Sequence, residues 1–209
     1  WINNIRIFTP SSTLLDRTFA YYSGGDLQGV WVGADDKQIF SYDQQHRLTR
    51  DIFDAAFYGQ GPSENYDLSF TYDDVGNRLT QTIKRYPSGT ILRLDNYNYH
   101  NAKKNMLTSV IRTNGIYPSD YYNYDSRGNI ISKIVPPPYN PEVYTTTYTY
   151  DAENRLISAH LPDENFIEYK YDADDLLVYK YDSTERKETI YIRKIDGELV
   201  YEKSFQVAI

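Results

Sequence analysis

An aromatic-x-Tyr triplet, followed by a short polar turn and an aliphatic residue, occurs six times in this chain of 209 residues. The second aromatic residue of each copy is called position 0. A repeat with a period of roughly 20–50 residues indicates one small structural unit stacked many times. The repeat therefore predicts an extended surface or wall rather than one pocket. The position-0 residues are Tyr42, Tyr72, Tyr99, Tyr124, Tyr150 and Tyr171.

The residue types in the repeat are those of a β-sheet. The chain has 23 Tyr, 8 Phe and 2 Trp, and its mean hydropathy is only −0.66. Aromatic and β-branched residues suit a half-buried pleated surface, and tyrosine combines an apolar ring with a polar tip. The best helical candidate, residues 49–57, fits two helical turns but also fits a strand that leads into a loop. The composition thus predicts an all-β chain of antiparallel hairpins.

The triplet places its two aromatic residues on one face of a strand, because residues i and i+2 share a face. In one copy, Tyr148 and Tyr150 share a face, and Thr149 lies on the other. Stacked copies predict an aromatic ladder on one face of the sheet and a row of Ser, Thr, Asn and Lys on the other.

The residues after position 0 predict a tight turn. An acid at position +1 can accept hydrogen bonds from turn amides one or two residues further on. Position +4 holds residue types that tolerate positive φ, so we expect a left-handed residue there, with Lys103 as the exception in the copy where His100 replaces the acid. The acids are Asp43, Asp73, Asp125, Asp151 and Asp172, and the position +4 residues are His46, Gly76, Gly128, Asn154 and Asp175.

An aliphatic residue at position +6 begins the next strand, as Leu48 and Leu156 do. In the copy that begins at Tyr72 the leucine, Leu79, stands at position +7 instead. A shift of one residue turns a strand side chain to the other face. This copy is therefore predicted to carry an extra residue or a bulge in its turn.

The repeats divide the chain into two regions. Residues 1–38 are interpreted as a divergent β region, with a turn signal at residues 23–26. Residues 39–209 are interpreted as the repeat sheet, with insert loops near 58–66 and 133–143. The proline-rich second insert favours a rigid loop over a ligand segment. A last hairpin is predicted to turn at Asp196 and Gly197.

Charge and composition exclude several classes of function. The net charge is −7 and the pI is about 5.0, which argues against a nucleic-acid partner because phosphate binding needs clustered Lys and Arg. No apolar stretch is long enough to span a bilayer. The absence of cysteine removes disulfides and cysteine–zinc sites. The chain begins at Trp1 without an initiating Met, so we expect a processed product or a piece of a longer chain.

No catalytic, cofactor or metal site is predicted. His46, His100 and His160 fall at or near turns, where a turn role suffices, and a metal would need several of them to converge. The periodic acids look equivalent, unlike the paired acids of glycosidases. Residues 172–175 are rich in acids, but they lack the spacing of a full calcium loop.

The motifs at residues 72–79 (Tyr-Asp-x-x-Gly-Asn-Arg-Leu) and 150–156 (Tyr-Asp-x-x-Asn-Arg-Leu) resemble the YD repeats of the RHS-repeat family. The resemblance covers about residues 39–200. It implies a strip of β-hairpins that curves into a solenoid-like or shell-forming sheet. Bacterial members use such shells to enclose a toxic polypeptide, and the animal teneurins use a related shell in adhesion. The family's shell-closing Asp-Pro motif has no match, so self-cleavage is assigned to no residue.

The resemblance and the residues together predict a non-catalytic wall segment of a secreted or cell-surface protein, expected in bacteria. Its expected partners are further repeats of the same parent chain, neighbouring copies bound through sheet edges, and an enclosed polypeptide. One alternative is an adhesion or carbohydrate-binding module, with exposed aromatic residues such as Trp31 and the pairs 21–22 and 121–122; no glycan contact is assigned. A further alternative is an open filament of stacked sheets.

Overall fold

The strands follow the alternating and aromatic-rich segments of the sequence. The computed structural model describes residues 4–9, 12–32, 36–54, 65–103, 105–114, 118–136, 143–194 and 196–207. Within these residues the chain is all-β, as predicted, with seventeen strands and no helix. The strands are β1 (Asn4–Thr9), β2 (Ser12–Tyr21), β3 (Leu27–Val32), β4 (Asp36–Tyr42), β5 (Leu48–Asp54), β6 (Tyr66–Tyr72), β7 (Arg78–Arg85), β8 (Ile91–Tyr99), β9 (Leu107–Thr113), β10 (Asp120–Tyr124), β11 (Ile130–Val135), β12 (Tyr144–Tyr150), β13 (Leu156–His160), β14 (Phe166–Tyr171), β15 (Leu177–Asp182), β16 (Lys187–Arg193) and β17 (Leu199–Gln206).

The chain divides into two units, residues 1–98 with 110–117 and residues 99–109 with 118–209. In the first unit, each strand from β1 to β8 pairs antiparallel with the next. In the second unit, the strands from β10 to β17 do the same. Both units are thus meanders of consecutive strands, the arrangement that hairpin repeats predict.

Five of the six repeats are hairpins with one register. Position 0 lies opposite position +6, as in Tyr42 with Leu48 and Tyr150 with Leu156. The register shifts by one residue just before position 0, which gives the hairpins of Tyr42, Tyr72, Tyr124, Tyr150 and Tyr171 the same β-bulge. A bulge bends the strand and increases its twist, so the repeat carries its own curvature signal.

The predicted extra residue in the Tyr72 copy is wrong. Tyr72 lies opposite Arg78, which occupies position +6, and the turn between them has the length of the other turns. The bulge before Tyr72 is also present in the repeats of Tyr42, Tyr124, Tyr150 and Tyr171. Leu79 therefore stands on the other face, where it is 39% exposed. The prediction of an extra residue failed because it assumed that position +6 must be aliphatic. The long side chain of Arg78 can fill that position with its methylene groups.

Two further hairpins have the repeat register without the full sequence motif. Tyr21 lies opposite Leu27 and Arg193 lies opposite Leu199, each with the bulge before it. In the turn after Tyr21, Tyr22 replaces the acid, and in the turn after Arg193, Lys194 replaces it. The repeat geometry therefore extends beyond the six copies that the motif identifies. It reaches into the region 1–38, whose boundary stays a prediction.

Burial is provided mainly by half-buried aromatic residues. Among the described residues, the fully buried apolar side chains are Val110 and Ala159, at 4% and 6% exposure. In the second unit, Tyr148 and Tyr150 are half-buried and Thr149 between them is exposed. The same alternation holds at Tyr169, Lys170 and Tyr171, so the predicted aromatic face is confirmed there.

The opposite face of the second unit is less polar than predicted. His160 stacks on Phe166 with ring centroids 5.9 Å apart, and Phe166 contacts Tyr181 at 5.6 Å. The register puts these three rings on the face that also carries Thr149 and Lys170. The triplet motif could not reveal this row, because its members come from three strands that the hairpin register brings side by side.

The structure also bears on the predictions for segment 49–57, the last hairpin and the insert loops. Residues 48–54 form strand β5, so the strand reading of segment 49–57 is confirmed as far as residue 54. The last hairpin is confirmed, with Gly197 at φ +87° in its turn. The insert loops near 58–66 and 133–143 lie largely outside the described residues. No helix in the described part of the chain is long and apolar enough to cross a membrane.

Candidate functional site

The repeat turns share one hydrogen-bond pattern, which the turn after Tyr124 illustrates. The amide of Asp125 donates to the carbonyl of Asn129 at 2.9 Å, and the amide of Gly128 donates to the carbonyl of Asp125 at 3.2 Å. The carboxylate Oδ1 accepts from the amides of Arg127 and Asn129, both at 2.9 Å. One acid thus fixes the whole turn from its first position, as predicted, although its second amide lies four residues on. The equivalent bonds occur after Tyr42, Tyr72, Tyr150 and Tyr171.

The predicted left-handed residue at position +4 is confirmed in five copies. The φ angles are +61° at His46, +94° at Gly76, +96° at Gly128, +65° at Asn154 and +64° at Asp175. Left-handed backbone is unfavourable for most residues, so the choice of Gly, Asn, Asp or His here is a conformational requirement. The position needs no catalytic explanation.

The pKa values of four turn acids, Asp43, Asp73, Asp125 and Asp151, are lowered, which favours their charged form. The backbone amide of Arg47 and then its side chain lower the pKa of Asp43 below its ordinary value, against the opposing effect of desolvation. The side-chain amide and backbone amide of Asn129 do the same for the pKa of Asp125. Donors that bind the carboxylate favour ionisation. These acids are therefore fixed hydrogen-bond acceptors, and they are poorly suited to proton transfer.

Four of the position-0 tyrosines connect their hairpin to the one before it. The hydroxyl of Tyr72 donates to the carbonyl of Leu48 at 2.7 Å, and that of Tyr124 to Leu107 at 2.7 Å. Each acceptor is the first residue of the preceding return strand. Tyr150 and Tyr171 bind Ile130 and Leu156 in the same way, at 3.0 and 2.9 Å. This contact is called the inter-hairpin hydrogen bond.

Arg193 preserves the inter-hairpin hydrogen bond in the last hairpin. Its Nε donates to the carbonyl of Leu177, the first residue of the preceding return strand, at 3.4 Å. An arginine can thus replace the tyrosine because both present a donor at the end of a long side chain. Sequence reasoning missed this residue, although its spacing before Gly197 and Leu199 matches positions +4 and +6.

Each of the three histidines contacts a different partner. His46 Nδ1 lies 2.6 Å from Asp26 Oδ2, and His160 stacks on Phe166. His100 Nδ1 accepts from the amides of Ala102 and Lys103 at 3.2 and 3.1 Å, so it imitates the turn acid that it replaces. In the part of the chain that the structure describes, no group of three or more His, Asp or Glu side chains is placed to hold a metal ion.

The acidic segment 172–175 has a structural role in its turn. Asp172 Oδ1 accepts from the amides of Asp174 and Leu176 at 2.9 and 3.0 Å. Asp175 takes the left-handed position and binds Arg155 Nη1 at 2.6 Å. The Oδ1 atoms of these two acids thus bind the turn and the neighbouring repeat.

A second set of acids lies on the strands, and sequence reasoning missed it. Asp67 on β6 accepts from Arg50 on β5, with Nε–Oδ1 at 2.9 Å and Nη2–Oδ2 at 2.8 Å. The hydrogen bonds from Arg50 lower the pKa of Asp67. The two residues are adjacent only through the register of β5 and β6, so no local motif could indicate them.

Asp51, also on a strand, has a raised pKa, in contrast to Asp67. Gln38 Nε2 donates to its Oδ1 at 2.9 Å, and desolvation raises its pKa in spite of hydrogen bonds from Gln38 and Tyr66. Neutral donors compensate a buried carboxylate less than a guanidinium does. Asp51 is a buried acid on the aromatic face of the first unit, where Phe40 lies directly opposite it.

The aromatic residues proposed for glycan binding have packing roles where the structure describes them. The Trp31 ring covers Gly29, where an added Cβ would lie 2.7 Å from the indole Cη2. Tyr22 donates its hydroxyl to the carbonyl of Phe40 at 3.0 Å and meets the Tyr42 ring edge-on at 6.3 Å. Tyr121, in contrast, is 40% exposed.

The comparisons with known proteins agree with this geometry. Residues 124–165 match the RHS Repeat family, which confirms the resemblance for the segment that holds two complete repeat turns. No curated protein matched the chain in the comparison.

The fold is that of solved Tc toxin structures. The TcdB2-TccC3-TEV structure matches with a TM-score of 0.57 and 16% identity, over 94% of this chain and 12% of that chain. The Tc holotoxin pore of Photorhabdus luminescens matches with a TM-score of 0.53 and 15% identity, over 95% and 13%. The TcdB2-TccC3 structure gives 0.52 and 15%, over 98% and 14%. The chain thus spans about one eighth of the length of the solved chains that it matches.

Proposed function

We propose that this chain, an all-β protein with a segment of the RHS-repeat family, is a non-catalytic wall segment of a shell that encloses or displays a toxin-like polypeptide. The likeness to the solved Tc toxin structures supports the fold alone. The role in enclosing a polypeptide and a secreted or cell-surface location in bacteria belong to the proposal. Further repeats of a parent chain, or neighbouring copies, are its proposed partners.

The observation that carries the proposal is the inter-hairpin hydrogen bond. It joins four of the repeats to the preceding hairpin at the same carbonyl, as at Tyr72 and Tyr150. A wall must resist separation between hairpins, and a bond repeated along the stack supplies that resistance. The ionised turn acids add rigidity at the end of each hairpin, where the backbone would otherwise fray.

The chemistry of the repeat favours containment over catalysis. The turn acids are held ionised by backbone and side-chain donors, as at Asp43 and Asp125. The tyrosines are half-buried and their hydroxyls are used inside the wall. Such a surface can contact a polypeptide without reacting with it.

The proposal is tested by isolating the protein in its native assembly and digesting it with a nonspecific protease. We expect a co-purifying polypeptide that survives digestion while the repeat sheet is folded and is degraded after the sheet is unfolded in urea. Absence of any such polypeptide, or equal digestion in both conditions, contradicts containment. Retention of the purified chain on a polysaccharide gel in that case supports the adhesion alternative, and light scattering that rises steeply with protein concentration supports the filament.

A further inference from the structure

Arginine side chains lie over tyrosine rings of the next repeat in both units. At position +5, Arg47 lies 4.8 Å from the centroid of Tyr72, and Arg155 lies 5.1 Å from that of Tyr171. Each of these arginines also binds the acid of its own turn through Nε, at 2.7 Å. The guanidinium is thus held between an acid of one repeat and an aromatic ring of the next.

The repeat that begins at Tyr72 reaches a related arrangement with a different residue. Its position +5 is Asn77, but Arg78 at position +6 lies 5.7 Å from the centroid of Tyr97 and 4.8 Å from that of Phe70. A guanidinium therefore lies over an aromatic ring of the next repeat here as well.

The repeat that begins at Tyr124 has a short residue where the repeats of Tyr42 and Tyr150 have an arginine. Its position +5 is Asn129, and Ile130 follows at position +6. The Asn129 amide binds Asp125 Oδ2 at 2.9 Å, as the arginine Nε does elsewhere, but an asparagine is too short to extend over the Tyr150 ring. Asn129 therefore does not fill the place that the guanidinium takes in the repeats of Arg47 and Arg155, and its Nδ2 also donates to Asn154 Oδ1 at 3.0 Å.

A groove of about 420 Å³ lies at this place. Asp125 and Asn129 of one turn and Tyr148, Tyr150 and Asp151 of the next repeat line it. Its volume is within the range of small-molecule sites, roughly 300–1,000 Å³. Asn129 thus lines the groove at the position where Arg47 and Arg155 stand in their repeats.

The charge of the groove favours a cation. Asp125 accepts from the backbone amides of Arg127 and Asn129 and from the side-chain amide of Asn129, which are all neutral donors. Within the described residues it forms no ion pair. The Arg127 guanidinium also lines the groove, but its Nη1 donates to the carbonyl of Ala152 at 2.9 Å and to Asn154 Oδ1 at 3.4 Å. An ionised carboxylate beside an aromatic ring attracts a planar cation through charge and through the ring quadrupole.

We propose that this groove binds a guanidinium group supplied from outside the chain, with Asp125 as its acid and Tyr150 as its aromatic platform. The ligand class comes from the molecule itself, because Arg47 and Arg155 show which group fits between these two repeat positions. An arginine side chain of a bound polypeptide has this chemistry, and so has a small guanidinium compound. The site does not depend on the containment proposal.

The site is tested by titrating the protein with the peptide Gly-Arg-Gly and following the ring signals of its tyrosines by NMR. We expect the signals of Tyr148 and Tyr150 to shift on binding. The same peptide with citrulline, which is neutral and nearly isosteric, should bind about tenfold more weakly because it lacks the charge. Citrulline binding as tight as arginine binding overturns the proposal.

The matched variants are Asn129→Arg and Asn77→Arg. Asn129→Arg supplies a guanidinium from within the chain and should weaken peptide binding by about tenfold or more. The tethered arginine competes with the arginine of the peptide at a high effective concentration. The protein should fold, because arginine occupies this position in two other repeats. Asn77→Arg lies in the other unit and should leave the affinity within about twofold. Wild-type affinity in Asn129→Arg contradicts the site.

The source of the group is identified by comparing Gly-Arg-Gly with N-acetyl-arginine amide. Tighter binding of the peptide indicates a polypeptide partner, whereas equal binding indicates small guanidinium compounds. Both results support the site. Absence of any shift at Tyr150 with either probe overturns it, and leaves the protease test of containment unaffected.

Discussion

The aspartates of the turns are bound in one recurring way, whereas those of the strands differ from one another. Asp125 in a turn is surrounded by local donors, which lower its pKa. Asp51 on a strand is desolvated and has neutral partners, which leaves its pKa raised. The turn acids stabilise the fold through groups within four residues, and the strand acids depend on the register of separate strands. The comparison shows that the repeat motif encodes its turns, whereas its strand faces vary from copy to copy.

The strongest challenge to this comparison is removal of a turn acid. Asp73→Ala deletes the acceptor for the amides of Val75 and Asn77 and for the Asn77 side chain. We expect this substitution to lower the melting temperature more than any of those that follow, because several donors lose their partner together. The matched control is Asp74→Ala in the same turn, an exposed acid. Equal melting temperatures for the two variants would show that the turn acid is dispensable.

The conformational requirement at position +4 predicts the next largest effect. Gly128→Ala places a side chain at φ +96° and should lower the free energy of unfolding by about 1–2 kcal/mol. Gly24→Ala is the control, since Gly24 lies in a turn outside the left-handed region and its added Cβ would meet His46 at an ordinary 3.5 Å. Urea unfolding measures both. A loss in Gly24→Ala as large as that in Gly128→Ala contradicts the explanation.

Neutralising the two strand acids should change the free energy of unfolding differently, with a loss for Asp67 and no loss, or a gain, for Asp51. Asp67→Asn weakens the paired bonds from Arg50 and should cost about 1–2 kcal/mol at pH 7, with allowance for the half-exposed Arg50. Because the folded pKa of Asp67 is lowered, its stabilisation is present above the unfolded pKa of about 3.9 and is lost as the pH falls through the folded pKa.

Asp51→Asn is the matched variant and should leave the protein as stable as the wild type, or more stable, at pH 7. The folded pKa of Asp51 is raised, so its contribution is greatest below the unfolded pKa and is lost as the pH rises through the folded pKa. The advantage of Asp51→Asn should therefore disappear below about pH 4. Unfolding curves at pH 4 and pH 7 measure it, and a loss at pH 7 equal to that of Asp67→Asn would remove the distinction between the two acids.

The sequence predicted the local part of this structure. The all-β fold, the aromatic face and the left-handed residues depend on neighbours within a few positions, and each followed from the motif. The pairing of Asp67 with Arg50 could not follow, because it depends on which strands are adjacent and in what register. Arg78 and Arg193 were missed because a long side chain performs the task of a different residue type.

The inter-hairpin hydrogen bond is tested most directly by the variants Tyr150→Phe and Tyr171→Phe, with Tyr121→Phe as the exposed control. Each repeat variant removes one hydroxyl and keeps its ring, so urea unfolding should show a loss of about 1 kcal/mol in each. The control should stay within about 0.5 kcal/mol of the wild type. If Tyr150→Phe and Tyr171→Phe are as stable as Tyr121→Phe, the tyrosine hydroxyls do not hold successive hairpins together and the account of the wall is wrong.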